Sequence, residues 1–245
     1  MRVLDEPCPT EENQVKRTLL ASVLALVVLA GLSACETRRP SGAPSGRTPV
    51  IFVHGWNADE GKWDDAVAEF KSAGYTSGDI TVLYYDSSKG AADVASSLAD
   101  EVDHLRTYTG QQKVDIVSHS YGSMVTKSCI VAGRCAGKVS HWMSLAGADN
   151  GTSTAELCTL IQASCRDMTG QTSTIADLQA AWGQISVQNV KVEVQWSSSD
   201  GVITPNTNSK LPPPAVNLQV SGSLSHDDMV KNSSVITETI NFFKR

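Results

Sequence analysis

The stretch Lys113–Ser123, with the sequence KVDIVSHSYGS, contains the most informative structural pattern of this chain. It begins as an apolar run of β-branched residues, Val114, Ile116 and Val117, which predicts a buried strand. Small residues follow, and apolar residues at helical spacing resume from Met124 onward. The stretch therefore predicts a sharp turn between a strand and a helix, centred on Ser120.

The residues around Ser120 are the types that expose a reactive serine at such a turn. Ser118 and Gly122 lie two positions to either side, and small residues there let a strand and a helix pass closely. The pattern resembles the nucleophile elbow of the α/β-hydrolases, G-x-S-x-G, with Ser118 in place of the first glycine. A serine-rich turn without chemistry is the alternative interpretation.

Length and charge narrow the class of protein. The chain has 245 residues, which is enough for one sizeable domain with its own core. Its formal net charge of −6 and its lack of a basic block argue against nucleic acid as a partner. No pair of histidines has the spacing of metal ligands, so we expect no catalytic metal and no cofactor; a structural cation bound by acidic loops is the alternative. We expect a monomer.

The N-terminal residues 1–35 are typical of an export signal. Lys16 and Arg17 precede an apolar run, Leu19–Leu32, that is too short to span a bilayer comfortably and about right for a signal-peptide core. The sequence therefore predicts an exported protein.

The end of this signal resembles the lipobox of bacterial lipoproteins. Leu32–Cys35 reads LSAC, and the resemblance implies that Cys35 is lipidated and tethers the protein to a membrane. Ordinary signal cleavage and secretion are the alternative. Residues 36–48 are rich in Pro, Gly, Ser and Arg and predict a flexible linker. The folded domain is then expected over residues 49–245.

Four cysteines fall inside the expected domain, and export favours disulfide bonds between them. Three pairings are possible, and the pairing of sequence neighbours is the one we predict. Buried free thiols are the alternative. The predicted disulfides are Cys129–Cys135 and Cys158–Cys165.

Strand and helix patterns alternate along the domain, which predicts a mostly parallel α/β sheet flanked by helices. Functional side chains in such sheets lie at the carboxyl ends of the strands. The predicted strands are 49–53, 79–85, 114–119, 138–146, 190–196 and 216–220, and the main predicted helices are 62–73, 90–109 and 235–243.

Residues 150–187 contain no strand pattern and are interpreted as a cap-like insertion before the next strand. Short helical pieces are expected over 155–163 and 175–182. The apolar residues of the insertion either line an acyl groove or pack the insertion onto the body. These residues are Leu157, Leu160, Ile161, Leu178 and Trp182.

A serine nucleophile requires a base, and the base requires a third group that fixes its tautomer. In the α/β-hydrolases these groups follow the order serine, acid, histidine. His226 follows the last predicted strand and is the candidate base. Asp200 follows the strand before it and is the candidate acid, with Asp149 as the rival one strand earlier.

A second loop resembles the oxyanion loop of the same superfamily. The run Pro49–Asn57 predicts a buried strand that leads into His54-Gly55 and a bulky residue. The resemblance implies that the main-chain N–H groups of Trp56 and Tyr121 bind the oxyanion. His54 itself is interpreted as a structural histidine.

Over residues 49–243 the chain resembles the small bacterial lipases with a minimal α/β-hydrolase fold. The resemblance implies a carboxylic-ester hydrolase, often acting on triacylglycerols, that forms an acyl-enzyme on Ser120. The chain departs from the family pattern at Ser118 and in the longer insertion 150–187. The alternatives are a cutinase-like polyester hydrolase, a thioesterase or an acyltransferase with the same triad, and, from another class, a non-catalytic surface lipoprotein. The matching stretches are 50–56, 114–123, 139–148, 196–203 and 224–230.

Overall fold

The computed structural model describes residues 37–58 and 61–245. The predicted export signal, residues 1–35, and its cysteine Cys35 lie outside this part of the chain. Among the described helices, none has both the length and the apolar character that a membrane span requires.

Six strands form one sheet, and every neighbouring pair runs parallel. The order across the sheet is β2-β1-β3-β4-β5-β6. The predicted parallel α/β sheet is therefore confirmed. The strands are β1 (Val50–Val53), β2 (Ile80–Leu83), β3 (Val114–His119), β4 (Val139–Leu145), β5 (Lys191–Trp196) and β6 (Val216–Gln219).

Helices cover both faces of the sheet, and the buried apolar residues accordingly form two clusters. Helices α2 and α3 pack on one face together with the insertion, whereas α1 and α7 pack on the other. The described helices are α1 (Asp64–Ser72), α2 (Ala91–Thr109), α3 (Tyr121–Val131), α4 (Ala163–Met168), α5 (Thr174–Ala180), α6 (Gln184–Val187) and α7 (Ser233–Phe242).

The order of the strands locates the crevice in which a ligand can bind. The chain passes from β1 outward to β2 and then returns to β3 on the other side of β1. In open α/β sheets such a reversal leaves a crevice at the carboxyl ends of the two central strands. Here those ends carry His54-Gly55-Trp56 after β1 and Ser120 after β3.

The described part of the predicted linker, residues 37–48, lies against the domain. Arg38 pairs antiparallel with Val82 of the edge strand β2, with N···O distances of 2.9 and 3.0 Å. The Arg39 guanidinium forms an ion pair with the buried carboxylate of Glu101. The Pro, Gly, Ser and Arg content predicted a flexible segment. Composition carries no information about the open edge of the sheet, which offers main-chain hydrogen-bond partners to this segment.

The insertion is built from short helices, as expected, although their bounds differ from the predicted ones. A 3-10 helix spans Ser153–Cys158, and α4 begins only at Ala163. The short helix α6 lacked a clear pattern in the sequence. Both predicted disulfides are present: Cys158–Cys165 joins the 3-10 helix to α4, and Cys129–Cys135 closes the turn after α3.

Candidate active site

Ser120 occupies the corner between β3 and α3. Its φ of 56° and ψ of −127° lie in a region that non-glycine residues rarely adopt, so the backbone there is strained. Main-chain hydrogen bonds fix both sides of this residue. Its N–H donates to the oxygen of Leu145 at 3.2 Å, and its oxygen accepts from the N–H groups of Ser123 and Ala148, both at 3.0 Å.

Two glycines allow the loop after β1 to approach this corner. A Cβ atom at Gly122 would overlap the main-chain oxygen of His54, and a Cβ atom at Gly55 would lie 2.7 Å from Cβ of Ser120. Only glycine therefore fits at these positions without a shift of the backbone. This close approach explains why the elbow pattern has a glycine, here Gly122, two positions after the serine.

Asp200 and His226 form a direct hydrogen bond. The Nδ1–H of His226 donates to Oδ2 of Asp200 at 2.8 Å, which leaves Nε2 of the imidazole as the acceptor. The other carboxylate oxygen of Asp200 accepts from the N–H groups of Val202 and Ile203 at 2.8 and 2.9 Å. Burial raises the pKa of Asp200, but these hydrogen bonds outweigh it and hold the pKa below its ordinary value.

Ser120 and His226 line the same cavity, whose volume is about 490 Å³. The Ser120 hydroxyl has no hydrogen-bond partner among the residues that the structure describes, and it lies at the cavity wall. Catalytic hydrogen bonds in unliganded sites are often long and shorten when substrate binds. The candidate nucleophile and the candidate base thus line one cavity, and the candidate acid contacts the base through the hydrogen bond described above.

Asp149, the rival acid, lies elsewhere. Its side chain is fully buried and accepts a hydrogen bond from the Ser144 hydroxyl at 2.7 Å. Burial raises the pKa of Asp149 to about 6, although the nearby Lys127 cation and the Ser144 hydrogen bond oppose the rise. The carboxylate that contacts His226 is therefore Asp200 and not Asp149.

The two main-chain groups expected to bind an oxyanion are free for a ligand. The N–H groups of Trp56 and Tyr121 have no hydrogen-bond acceptor within residues 37–58 and 61–245. Tyr121 is the first residue of α3, where N–H groups lack acceptors within the helix. Trp56 follows Gly55 and lines the cavity.

His54 holds the loop that carries Trp56. Its Nδ1–H donates to the oxygen of Gly55 at 2.6 Å, and its Nε2 accepts from the N–H of Tyr85 at 3.2 Å. The ring also stacks on Tyr85, with centroids 4.1 Å apart. Burial lowers the pKa of His54, in agreement with the neutral ring that the acceptor role of Nε2 requires.

The sequence did not single out His119, which the structure places beside the candidate base, His226. Its Nε2–H donates to the main-chain oxygen of His226 at 3.0 Å, and the two rings are 4.4 Å apart. Burial, followed by the positive charges that His226 and Lys62 can carry, holds the pKa of His119 well below its usual range. Lys62 itself forms an ion pair with Asp227, next to His226. Adjacency to Ser120 was the only signal of this role in the sequence.

Three of the five apolar residues of the insertion lie in one of the two expected locations, and Leu160 and Ile161 lie in neither. Leu178 and Trp182 are buried against the body. Leu157, Leu160 and Ile161 are 94%, 96% and 79% exposed, and Leu157 lines the cavity.

The start of the insertion is tied to the loop that carries Asp200. The Thr152 hydroxyl donates to the oxygen of Val202 at 2.6 Å and accepts from the N–H of Thr204 at 2.9 Å. Thr152 and Val202 both line the cavity. The insertion and the acid loop thus form one continuous wall of the site.

Solved structures with the same fold include several lipases. The chain superimposes on the propeptide form of the Bacillus licheniformis lipase BlEst2 with a TM-score of 0.70 and 18% identity, covering 84% of this chain and 52% of that one. For the mature form of that lipase the TM-score is 0.65 at 19% identity, with coverages of 85% and 97%. For Aspergillus fumigatus lipase B the TM-score is 0.71 at 15% identity, with coverages of 85% and 56%.

At these identities the structural similarities establish the fold alone. The chain spans about half the length of the propeptide form of the Bacillus lipase. Sequence similarity at the family level is more informative, because the class 2 lipase profile matches residues 47–239. That range includes both central loops, the insertion, Asp200 and His226, and this chain therefore belongs to the family Lipase (class 2).

Proposed function

We propose that this protein is a carboxylic-ester hydrolase that acts on lipid esters through an acyl-enzyme on Ser120. The observation that carries the proposal is the 2.8 Å hydrogen bond between Asp200 and His226, because His226 lines the same cavity as Ser120. A serine, a histidine and a carboxylate in this arrangement form the machinery of acyl transfer.

In the first half of the reaction Ser120 Oγ attacks the ester carbonyl while Nε2 of His226 accepts its proton. The N–H groups of Trp56 and Tyr121 bind the oxyanion of the tetrahedral intermediate. The imidazolium, stabilised by Asp200, then protonates the departing alcohol, and the acyl group remains on Ser120.

In the second half a water molecule attacks the acyl-enzyme. His226 accepts a proton from this water, the same N–H groups bind the second oxyanion, and the proton returns to Oγ of Ser120 as the carboxylic acid leaves. His226 gives back each proton within the half-reaction in which it accepts it, so the free enzyme is regenerated after water has supplied the hydroxyl group of the acid.

The rim of the cavity favours lipid esters over small soluble ones. Trp56, Leu157 and Val202 line the cavity and are also among the exposed large apolar residues of the described chain. Leu160 and Ile161, which follow Leu157 within four residues of the chain, are exposed as well. An apolar rim around a mouth is suited to substrates presented at a lipid surface.

The test of the proposed function is hydrolysis of p-nitrophenyl esters by the wild-type protein and by Ser120→Ala. We expect the variant to lose turnover by about 10⁶-fold, as in a comparable triad, with an unchanged circular dichroism spectrum. A fluorophosphonate should label the wild type and not the variant. Retained turnover in Ser120→Ala would disprove the assignment.

A panel of short, long and polymeric esters, with and without an added alcohol acceptor, separates the alternatives. Preferential hydrolysis of emulsified long-chain esters supports a lipase. Preference for polyester films, or transfer to the alcohol in place of water, would instead indicate a cutinase-like hydrolase or an acyltransferase. A correctly folded wild type that is inert to the fluorophosphonate would indicate a non-catalytic protein.

We also propose that the protein is exported and held at a membrane by a lipid on Cys35. The two disulfides are consistent with an oxidising compartment. Expression of the full chain in a bacterium with a radiolabelled fatty acid should label the wild type and not Cys35→Ala. Release of wild-type protein without label would favour ordinary secretion.

A further inference from the structure

Five buried polar side chains form a continuous hydrogen-bonded chain behind the corner that carries Ser120. The Nε1–H of Trp142 donates to the Ser118 hydroxyl at 2.8 Å, and the hydroxyls of Ser118 and Ser123 are 2.9 Å apart. The Ser144 hydroxyl lies 3.0 Å from that of Ser123 and 2.7 Å from Oδ2 of Asp149. Each of these five residues is fully buried. We refer to them as the Trp142–Asp149 polar chain.

Chemistry sets the direction of these hydrogen bonds. The indole of Trp142 can only donate, and a carboxylate on Asp149 can only accept. Each of the three serines between them has one proton to give, so the arrangement in which every link is a hydrogen bond has each hydroxyl donating toward Asp149. The Ser118 hydroxyl also lies 3.4 Å from the main-chain oxygen of Met143, a second acceptor within its reach. Hydrogen bonds aligned in this way polarise one another and are strongest when they end on a charge.

The polar chain connects the two sides of the strained corner. Ser118 lies on β3 two residues before Ser120, and Ser123 lies in the first turn of α3 three residues after it. Ser144 is on the neighbouring strand β4, directly beside Ser118, and Asp149 follows that strand. A strained backbone persists only when the surrounding contacts over-determine it, and this polar chain supplies such contacts.

The serine that departs from the elbow pattern is a member of this chain. A glycine at position 118 would leave the Nε1–H of the fully buried Trp142 without its partner, which is costly inside a protein. Lys127 fixes the far end, because its Nζ donates to the main-chain oxygen of Asp149 at 3.2 Å and lies 5.5 Å from the centroid of the Trp182 ring.

We propose that the Trp142–Asp149 polar chain positions the Ser120 hydroxyl for attack, so that Ser118 and Asp149 are positioning residues of the reaction. This inference rests on the function proposed above. Ser118 and Asp149 share no hydrogen bond with one another, and their side chains are linked through the hydroxyls of Ser123 and Ser144. Such a dependence can be measured, because residues that act independently have additive effects whereas members of one network do not.

The experiment is a double-mutant cycle with Ser118→Ala, Asp149→Asn and the combined variant. For each protein, kcat and KM are measured on a soluble p-nitrophenyl ester, together with the rate of fluorophosphonate labelling of Ser120. Small misplacements of reacting groups cost up to about 10²-fold in rate, so we expect each single variant to lose roughly tenfold in kcat with KM unchanged. The labelling rate should fall in parallel.

The combined variant decides the question. If one network positions Ser120, the double variant loses about the same tenfold as either single one. Losses that multiply to about 10²-fold, or single variants with wild-type kcat, would overturn the proposal. A loss expressed in KM alone would also overturn it, because positioning of the nucleophile acts on the chemical step.

Thr126→Val is the matched control. Thr126 is a buried hydroxyl on the same helix that bonds to the oxygen of Gly122 and is not part of the polar chain. Its kcat should equal that of the wild type. If Asp149→Asn does not fold, Ser144→Ala replaces it and interrupts the same chain. A wild type that is not labelled at all would refute the proposed function, whereas a labelled wild type with multiplying losses would refute only the positioning role.

Discussion

The ring of His119 and the main chain of His226 are joined by a hydrogen bond of 3.0 Å, in which Nε2–H of His119 donates to the oxygen of His226. The residue that precedes the proposed nucleophile thus holds the loop that carries the proposed base. The contact is buried, and it spans 107 positions of the sequence. It gives the loop after β6 a fixed attachment at the carboxyl end of β3.

We expect removal of this attachment to weaken catalysis. His119→Leu removes this hydrogen bond, which contributes about 0.5–1.5 kcal/mol, and lets the imidazole of His226 move. His119→Gln keeps an N–H donor at similar reach. The Leu variant should lose roughly tenfold or more in kcat, and the Gln variant clearly less, in ester hydrolysis assays with thermal unfolding as the check on folding. Equal activity of both variants and the wild type would show that the attachment is not needed.

The two candidate acids should differ strongly when each is neutralised. Asp200→Asn keeps the shape of the side chain but favours the wrong tautomer of His226, and a comparable change in another triad lowers kcat by about 10⁴-fold. Asp149→Asn does not touch His226 and should lose no more than about tenfold. Steady-state hydrolysis by the two matched variants measures the contrast. A greater loss in Asp149→Asn than in Asp200→Asn would reverse the assignment of the acid.

Asp149 should make the stability of the fold depend on pH. Because burial raises its pKa to about 6, the folded protein holds the proton more tightly than the unfolded chain, in which the value is near 3.8. The ionised form therefore destabilises the folded state, and the free energy of unfolding falls as the pH rises from about 4 to 6. The whole effect is on the order of 2–3 kcal/mol.

Asp149→Asn isolates this contribution from those of the other acids. Urea unfolding of the wild type and the variant is measured at pH 4, 5, 6 and 7. The difference between their free energies of unfolding should change between pH 4 and 6 and stay nearly constant above pH 6. Parallel curves at every pH would mean that Asp149 titrates normally in the folded state.

The exposed rim should matter only for substrates at a lipid surface. Replacing Leu160 and Ile161 by serine removes apolar area that is open to solvent, so the fold and the cavity stay intact. Activity on an oil emulsion should fall several-fold, while activity on a dissolved short-chain ester is retained. Val187→Ser is the matched control, because Val187 is similarly exposed but lies on α6, whereas Leu160 and Ile161 closely follow Leu157, which lines the cavity. Equal losses on both substrates would contradict a role at the lipid surface.

Local patterns in the sequence were sufficient for the fold. Alternation of β-branched strands with amphipathic helices predicted the parallel sheet, because a strand buried on both faces and a helix buried on one have different hydrophobic periods. The bounds of α2 were also readable, since its apolar residues recur at helical spacing and Gly110 adopts the left-handed conformation that ends the helix. The short helices of the insertion were less readable because each has too few turns to show a period.

The candidate site was only partly readable from the chain. The small residues around Ser120 and the position of His226 after the last strand are local features, and they were enough to name both residues as candidates. The choice between Asp200 and Asp149 depended on which carboxylate reaches the imidazole of His226, which is more than 20 positions away in the sequence. The contact of His119 with His226 is also between residues that are distant in the sequence. The role of Ser118 was equally hidden, because its partner Trp142 lies on the neighbouring strand.

The periodicity and small-residue pattern of this chain therefore established which backbone it forms and where along it a nucleophile can stand. Which side chains meet in the finished sheet was settled by strand order and register, since these bring distant residues within hydrogen-bonding distance. Hydrogen bonds are short-ranged and directional, so a difference of one residue in register separates a paired acid from an isolated one.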